Sequence, residues 1–158
     1  MDYLVYEDKA RYDAWVKAVV ALPFGIILIT AIFLYPREPE EALGMLFTAI
    51  LVIIVYWIVM PRKFCIMSDN VKVVLGNPFS FRIPFRNIKE AREPKGHFTA
   101  GINFAPSSKT VVELIMKHGL RINISPYNRQ LFLENLDKAL NEWKREHEYD
   151  TTTRMAGK

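Results

Sequence analysis

Two uninterrupted apolar runs dominate the first sixty residues of the chain. The first extends from Ala18 to Tyr35 and the second from Leu43 to Met60, and each has 18 residues without a charged side chain. As an α-helix, such a run spans about 27 Å at ~1.5 Å per residue, close to the ~30 Å hydrocarbon core of a bilayer. Neither run has the polar face that a core helix usually shows. The pattern predicts an antiparallel hairpin of two transmembrane helices over residues 15–61.

The segments that flank the two runs carry the lysine and arginine residues that predict orientation. Three bases precede the first run, one lies in the loop and two follow the second run: Lys9, Arg11, Lys17, Arg37, Arg62 and Lys63. Because short cytoplasmic segments are rich in lysine and arginine, residues 1–14 are predicted to be cytoplasmic and residues 36–42 external. The expected location is the cell membrane, as a multi-pass protein with both termini in the cytoplasm.

A cleaved signal peptide is the alternative interpretation of the first run. The leader before it has four acids and three bases, whereas a signal peptide begins with a basic region. The run ends in IFLYP, which offers no small-residue cleavage site, and a second apolar run follows directly. These features favour a permanent anchor.

Beyond the second run, the pattern changes to the alternation that is typical of β-strands. The sequence FSFRIPF predicts one strand whose buried face carries the alternating residues Phe79, Phe81, Ile83 and Phe85. Around the turn at residues 117–119, a later hairpin is predicted in which Leu120, Ile122 and Ile124 face inward and Arg121 and Asn123 face outward. Six or seven short strands are predicted up to about residue 124.

After residue 128, the apolar positions recur with helical spacing. They form one stripe of an amphipathic helix over residues 128–147: Phe132, Leu136, Ala139, Leu140 and Trp143. Either Ser125 with Pro126 or Asn128 is suited to cap the start of this helix. The remaining residues, 148–158, have no pattern and are predicted to be a disordered tail.

Positive charge is concentrated in the segment after the membrane runs. Residues 62–158 contain 17 Lys and Arg against 10 Asp and Glu. The densest basic cluster comprises Arg82, Arg86, Lys89, Arg92 and Lys95. On an alternating strand, Arg82 and Arg86 point the same way, and such a cluster attracts anionic lipid headgroups. An ordinary solvated face is the alternative. Nucleic acid is not an expected partner, because the aromatic residues here lie on the apolar phase and leave no stacking platform.

Catalytic and cofactor-binding patterns are lacking in the sequence. His97, His118 and His147 are far apart and have no second ligand at metal spacing. The single cysteine, Cys65, begins a strand pattern and is expected to be a packing residue. The glycines are scattered rather than grouped in a phosphate-binding loop. The chain is therefore predicted to be no enzyme and to hold neither a metal nor a cofactor.

Two stretches resemble the bacterial pleckstrin-homology-like (PH-like) family. They are IPFRNIKEARE at residues 83–93 and NFAPSSKTVVELIMKHGLRINISPYNRQLFLENLDKAL at residues 103–140. The resemblance covers about residues 62–146 and implies a bent sheet sandwich or barrel plugged by the C-terminal helix, without enzymatic activity. The predicted fold is a membrane α-helical hairpin followed by an all-β PH-like domain, residues 62–147. The first turn, SDN, carries no base, so the phosphoinositide binding of eukaryotic PH domains is not implied.

These features favour a non-enzymatic binding or assembly module held at the cytoplasmic face of the membrane. Its partner would be a protein, a peptide or the lipid surface. The alternative is an accessory subunit of a transporter or membrane enzyme that contacts its partner through the hairpin. Small and polar residues in the runs would form that contact: Gly25 with Thr30, and Gly44 with Thr48 and Ala49.

Overall fold

The computed structural model describes residues 3–76, 79–94 and 101–156. The chain divides into two units. One is helical and consists of Tyr12–Met60, and the other combines Met1–Arg11 with Pro61–Lys158. The second unit is called the β-domain below.

The helical unit consists of two helices of 21 residues each, α1 (Ala14–Leu34) and α2 (Pro39–Val59). Both are long enough and apolar enough to cross a membrane. Pro39 lies in the first turn of α2, where a missing N–H leaves no hydrogen bond unmade. Most of their large apolar side chains are exposed, because no other part of the described chain covers them. The two helices predicted from the sequence are therefore confirmed, and α1 and α2 each begin about four residues before the apolar runs.

The β-domain contains two four-stranded sheets in the described part of the chain. The first has the order β1-β2-β3-β4 and is antiparallel, with strands Leu4–Lys9, Lys63–Met67, Asn70–Val74 and Ser80–Pro84. A short 3-10 turn, Phe85–Asn87, leads to the second sheet. That sheet has the order β5-β7-β8-β6, with β5 at Ile88–Arg92, β6 at Ile102–Phe104, β7 at Val112–Met116 and β8 at Arg121–Ile124. Strands β6 and β8 are parallel, and neither sheet closes on itself.

Strand β1 was not predicted, because the sequence analysis assigned no element to residues 1–14. It pairs with β2 in antiparallel fashion, and Lys9 lies opposite Lys63. The N–H of Ala10 also donates to the carbonyl of Arg62 at 2.9 Å. The whole helical hairpin is therefore inserted between two hydrogen-bonded neighbouring strands.

Helix α3 (Arg129–Ala156) follows the second sheet and supplies its predicted stripe to the core. Phe132 and Leu136 are fully buried, and Trp143 packs at the margin of the core. Asn128 caps the helix, because its Oδ1 accepts the N–H of Leu131 at 3.2 Å. The helix continues to Ala156, so most of the segment predicted as a disordered tail is helical.

Four side chains differ in burial from the sequence prediction. Phe79, which precedes β4, and Phe81, near the start of this edge strand, are 51% and 41% exposed. Leu120 is 46% exposed because it precedes β8 in the turn. Asn123 is only 2% exposed, since it lies opposite the buried Glu113 on β7.

Candidate functional site

The described residues of the predicted basic cluster lie on different elements of the β-domain. Arg82 is exposed on β4 of the first sheet, and Arg86 follows it in the 3-10 turn rather than on the same strand. Lys89 and Arg92 belong to β5 of the second sheet. Lys95 lies outside the described residues. Neighbours in sequence are thus distributed over three elements with different surroundings.

Arg92 belongs to an ionic cluster centred on a buried carboxylate. Its Nε donates to Oε2 of Glu113 at 3.0 Å, and Arg121 Nη1 donates to Oε1 of the same carboxylate at 3.2 Å. The Glu113 side chain is 1% exposed, against 27% for Arg92 and 46% for Arg121. A buried carboxylate needs such partners because burial removes its hydration. We therefore assign Arg92 a structural role.

Arg86 lines a groove of about 720 Å³ at one end of the first sheet. The groove lies where the chain before β1, the β2–β3 turn, the end of β4 and helix α3 meet. Its described lining residues are Tyr3, Ser68, Asp69, Pro84, Arg86, Trp143, Glu146 and His147. This is the end opposite the Lys9–Lys63 pair, since Leu4 pairs with Met67 at the other end of β1.

Aromatic stacking holds the α3 side of the groove in place. The rings of Trp143 and His147 stack with centroids 4.2 Å apart, and Phe85 meets Trp143 edge to face at 6.4 Å. The Nδ1 of His147 lies 2.8 Å from the carbonyl oxygen of Trp143 one turn earlier. These contacts fix the orientation of both rings, so the groove wall is formed before a ligand arrives.

Backbone hydrogen bonds hold the opposite side of the groove. The N–H of Ser68 donates to the carbonyl of Tyr3 at 3.0 Å, and the N–H of Tyr3 donates to Ser68 Oγ at 3.4 Å. The carbonyl of Asp69 accepts the N–H of Phe85 at 2.9 Å. This wall depends on residues before β1, for which the sequence pattern predicts no element, and so the sequence does not indicate the groove.

The groove combines aromatic surface with charges of both signs. Arg86 faces the same space as Asp69 and Glu146. Mixed polarity beside an aromatic wall suits a peptide segment, whose backbone and side chains offer donors, acceptors and apolar groups together. Trp143 at the end of the helical stripe was the one signal in the sequence that could have indicated it.

Metal-binding chemistry is not supported by the described residues. Among them, no group of three or more His, Cys, Asp or Glu side chains is placed to hold a metal ion. His118 is exposed in the β7–β8 turn, and His97 lies outside the described residues.

Cys65 is a buried thiol beside a carboxylate. Its Sγ lies 3.7 Å from Oε2 of Glu7, and burial, together with this neighbour, raises the pKa of Cys65 above its ordinary value. The thiol therefore stays protonated at neutral pH, which opposes nucleophilic reactivity.

The helical unit contains a second cleft, of about 430 Å³, lined by Ile26, Ile27, Thr30, Gly44, Met45 and Thr48. Both threonine hydroxyls donate within their own helix: Thr30 to the Ile26 carbonyl at 2.8 Å and Thr48 to the Gly44 carbonyl at 2.9 Å. A Cβ atom at Gly44 would meet nothing within 4 Å. The structure thus brings together three of the five predicted small and polar residues, while Gly25 and Ala49 are not among those described as lining the cleft.

Comparisons with known protein families, with curated proteins and with solved structures found no significant match. The interpretation of the groove and the cleft therefore rests on their geometry alone.

Proposed function

We propose that the protein is a non-enzymatic binding or assembly module tethered to the cytoplasmic face of the cell membrane, whose β-domain holds a protein or peptide ligand in the groove. The observation that carries this proposal is the insertion of the apolar hairpin between β1 and β2. Since these strands are hydrogen-bonded neighbours, the chain enters and leaves the hairpin at one place. A hairpin that spans the bilayer would then leave the whole β-domain on one side.

The PH-like assignment of the β-domain belongs to the same proposal. Two sheets followed by a C-terminal helix agree with the element order expected of that family, and the burial of Phe132 and Leu136 agrees with a helix that plugs one end. The additional strand β1, contributed from before the hairpin, would be a variation on that order.

The groove is the favoured ligand site because it is open, partly aromatic and held in shape by contacts on both walls. It lies at the end of the first sheet away from the strand ends that join the hairpin.

An accessory subunit of a transporter or membrane enzyme is the second candidate. The cleft at Thr30, Gly44 and Thr48 favours it, because small residues let a partner helix approach closely. In that case the hairpin, rather than the groove, would make the contact.

Topology is tested by labelling single cysteines in a Cys65→Ser background on intact cells. We expect a membrane-impermeant maleimide to modify Glu38→Cys, in the loop between the helices, and to leave Lys138→Cys on α3 unmodified. The basis is the lysine and arginine asymmetry. Permeabilised cells should show both sites modified, which controls for reactivity. Modification of position 138 from outside would overturn the cytoplasmic assignment.

The two candidate functions are separated by a photo-crosslinking amino acid placed at one position at a time in the full chain. Position 146 lies in the groove, position 45 lies in the cleft, and the exposed position 134 on α3 is the control. We expect a discrete crosslinked product from position 146 that Trp143→Ala abolishes. A product from position 45 alone would favour the accessory subunit. Identical products from positions 146 and 134 would show that the groove is not a specific site.

A further inference from the structure

The outer face of the first sheet carries two pairs of like charges that lie directly opposite each other. Lys9 on β1 is the partner of Lys63 on β2, and Lys72 on β3 is the partner of Arg82 on β4. These pairings follow from the strand register and are invisible in the sequence, where the four residues are spread over more than seventy positions.

All four bases lie on the same face. Cross-strand partners share a face, and so do residues two apart on one strand. Cys65 is the partner of Lys72 and lies two residues after Lys63, so the two pairs are linked through β2. The intervening Phe64, Val71 and Val73 belong to the core, which places the bases on the side away from it.

This face has a surplus of positive charge. Glu7, the partner of Cys65, is the acid among these paired positions, and its carboxylate accepts a hydrogen bond from Lys63 Nζ at 2.7 Å. One carboxylate against four bases leaves the face strongly basic. Like charges directly opposite on neighbouring strands destabilise a sheet, so an anionic partner laid across them would relieve their repulsion.

Chain length confines one edge of this basic face to the vicinity of the hairpin. Lys9 lies five residues before the start of α1, and Lys63 lies four residues after the end of α2. At a maximum of about 3.5 Å per residue, each is within roughly 17 Å of a helix end. Arg86 lies past the Pro84 end of β4, which pairs with Asn70 at the opposite end of the sheet.

We infer that the face formed by Lys9, Lys63, Lys72 and Arg82 binds the anionic headgroups of the membrane that the hairpin spans. This inference rests on the proposed membrane tether and adds a lipid contact distinct from the groove. It also divides the predicted basic cluster, because Arg82 belongs to the lipid contact and Arg86 belongs to the groove. An acidic protein surface is the competing partner, and the comparison of anionic with zwitterionic nanodiscs distinguishes the two.

The full chain, reconstituted in nanodiscs, tests the inference. A fluorophore at Ser80→Cys, in a Cys65→Ser background, reports on the outer face because residue 80 lies two positions before Arg82 on β4. Spin-labelled headgroups in the nanodisc quench it on contact. We expect stronger quenching in nanodiscs that contain anionic phosphatidylglycerol than in purely zwitterionic ones. The difference should vanish at 1 M salt, where the Debye length falls to about 3 Å.

Two matched arginine variants make the result specific. Arg82→Gln should remove much of the quenching that depends on anionic lipid, and adding Lys72→Gln should remove most of the rest. Arg86→Gln, at another exposed arginine four positions later in the chain, should leave this quenching unchanged. Circular dichroism and resistance to alkaline extraction establish that each variant is folded and embedded.

The outcomes separate this inference from the proposed function. If the wild-type chain resists extraction but its quenching is the same in anionic and zwitterionic nanodiscs, the lipid contact is wrong and the tether stands. Equal losses from Arg82→Gln and Arg86→Gln would also overturn the assigned face. If the wild-type chain is extracted by alkali, the proposed tether itself fails.

Discussion

Replacing both arginines of the buried ionic cluster, by Arg92→Gln with Arg121→Gln, is expected to lower the free energy of unfolding of the β-domain by about 3–5 kcal/mol. The reason is that Glu113, with a side chain 1% exposed, would lose both guanidinium partners while remaining buried. Pulse proteolysis of the full chain in detergent along a urea titration measures the loss as a lower midpoint.

Two further variants serve as controls. Glu113→Gln should cost less than the double arginine variant, because Arg92 and Arg121 are partly exposed and regain water when the carboxylate is lost. Arg129→Gln removes a partner of the exposed Glu93 carboxylate, at 3.1 Å, and should cost only about 0–1 kcal/mol. A double arginine variant no less stable than Arg129→Gln would show that the carboxylate is hydrated.

Phe132→Ala is expected to cost about 3–5 kcal/mol, the usual range for deleting a fully buried aromatic side chain. Phe132 lies in the core stripe of α3, and its ring meets that of Tyr6 on β1 edge to face at 6.2 Å. The same urea titration measures the change. The variant also tests whether the strand that precedes the hairpin is docked on the C-terminal helix.

Leu131→Ala is the matched control for this helix, since Leu131 is the preceding residue on α3 and is 41% exposed. Its cost should be well below that of Phe132→Ala. A double-mutant cycle with Tyr6→Ala should give a coupling energy of about 0.5–1.5 kcal/mol. If Phe132→Ala costs no more than Leu131→Ala, helix α3 is not docked and the plugged-sheet interpretation is wrong.

Local pattern was sufficient for the elements whose stabilising contacts repeat along their own sequence. The two apolar runs are predicted by their uninterrupted length, and the stripe of α3 has a helical period that shows which face is apolar. The local pattern does not predict strand β1, because LVYEDK is short and half polar. Its hydrogen-bonding partner lies beyond the whole hairpin, so the contact that makes it a strand leaves no local trace.

Alternation indicates on which face a strand residue lies, but not how far it is buried. Ile83 and Phe81 share one phase on the edge strand β4, yet Ile83 is buried, whereas Phe81 is 41% exposed and contacts Phe104. Asn123 keeps the phase opposite to Ile122 and Ile124 but is buried, because it lies opposite Glu113, which is itself a buried polar residue. Alternation alone does not reveal such pairs.

The strand register also decides which charged residues lie beside each other in the candidate sites. Sequence proximity grouped Arg82 with Arg92, but β5 places Arg92 opposite Glu113, which is 21 positions later. The basic face instead brings Arg82 beside Lys72, and the groove brings Arg86 beside α3. Charge density along the chain indicated which residues matter without indicating which of them meet.

The pairing of β1 with β2 across the hairpin also imposes an order on biogenesis. During synthesis, β1 leaves the ribosome before α1, α2 and β2. It cannot pair with β2 until both helices and β2 itself have been made. If the hairpin spans the membrane as proposed, a chain that inserted only one of the two helices would leave β1 and β2 on opposite sides of it, and β2 would present an uncovered edge. Completion of the first sheet would then act as a built-in checkpoint, and misinserted chains would carry the unpaired strand that chaperones and proteases recognise.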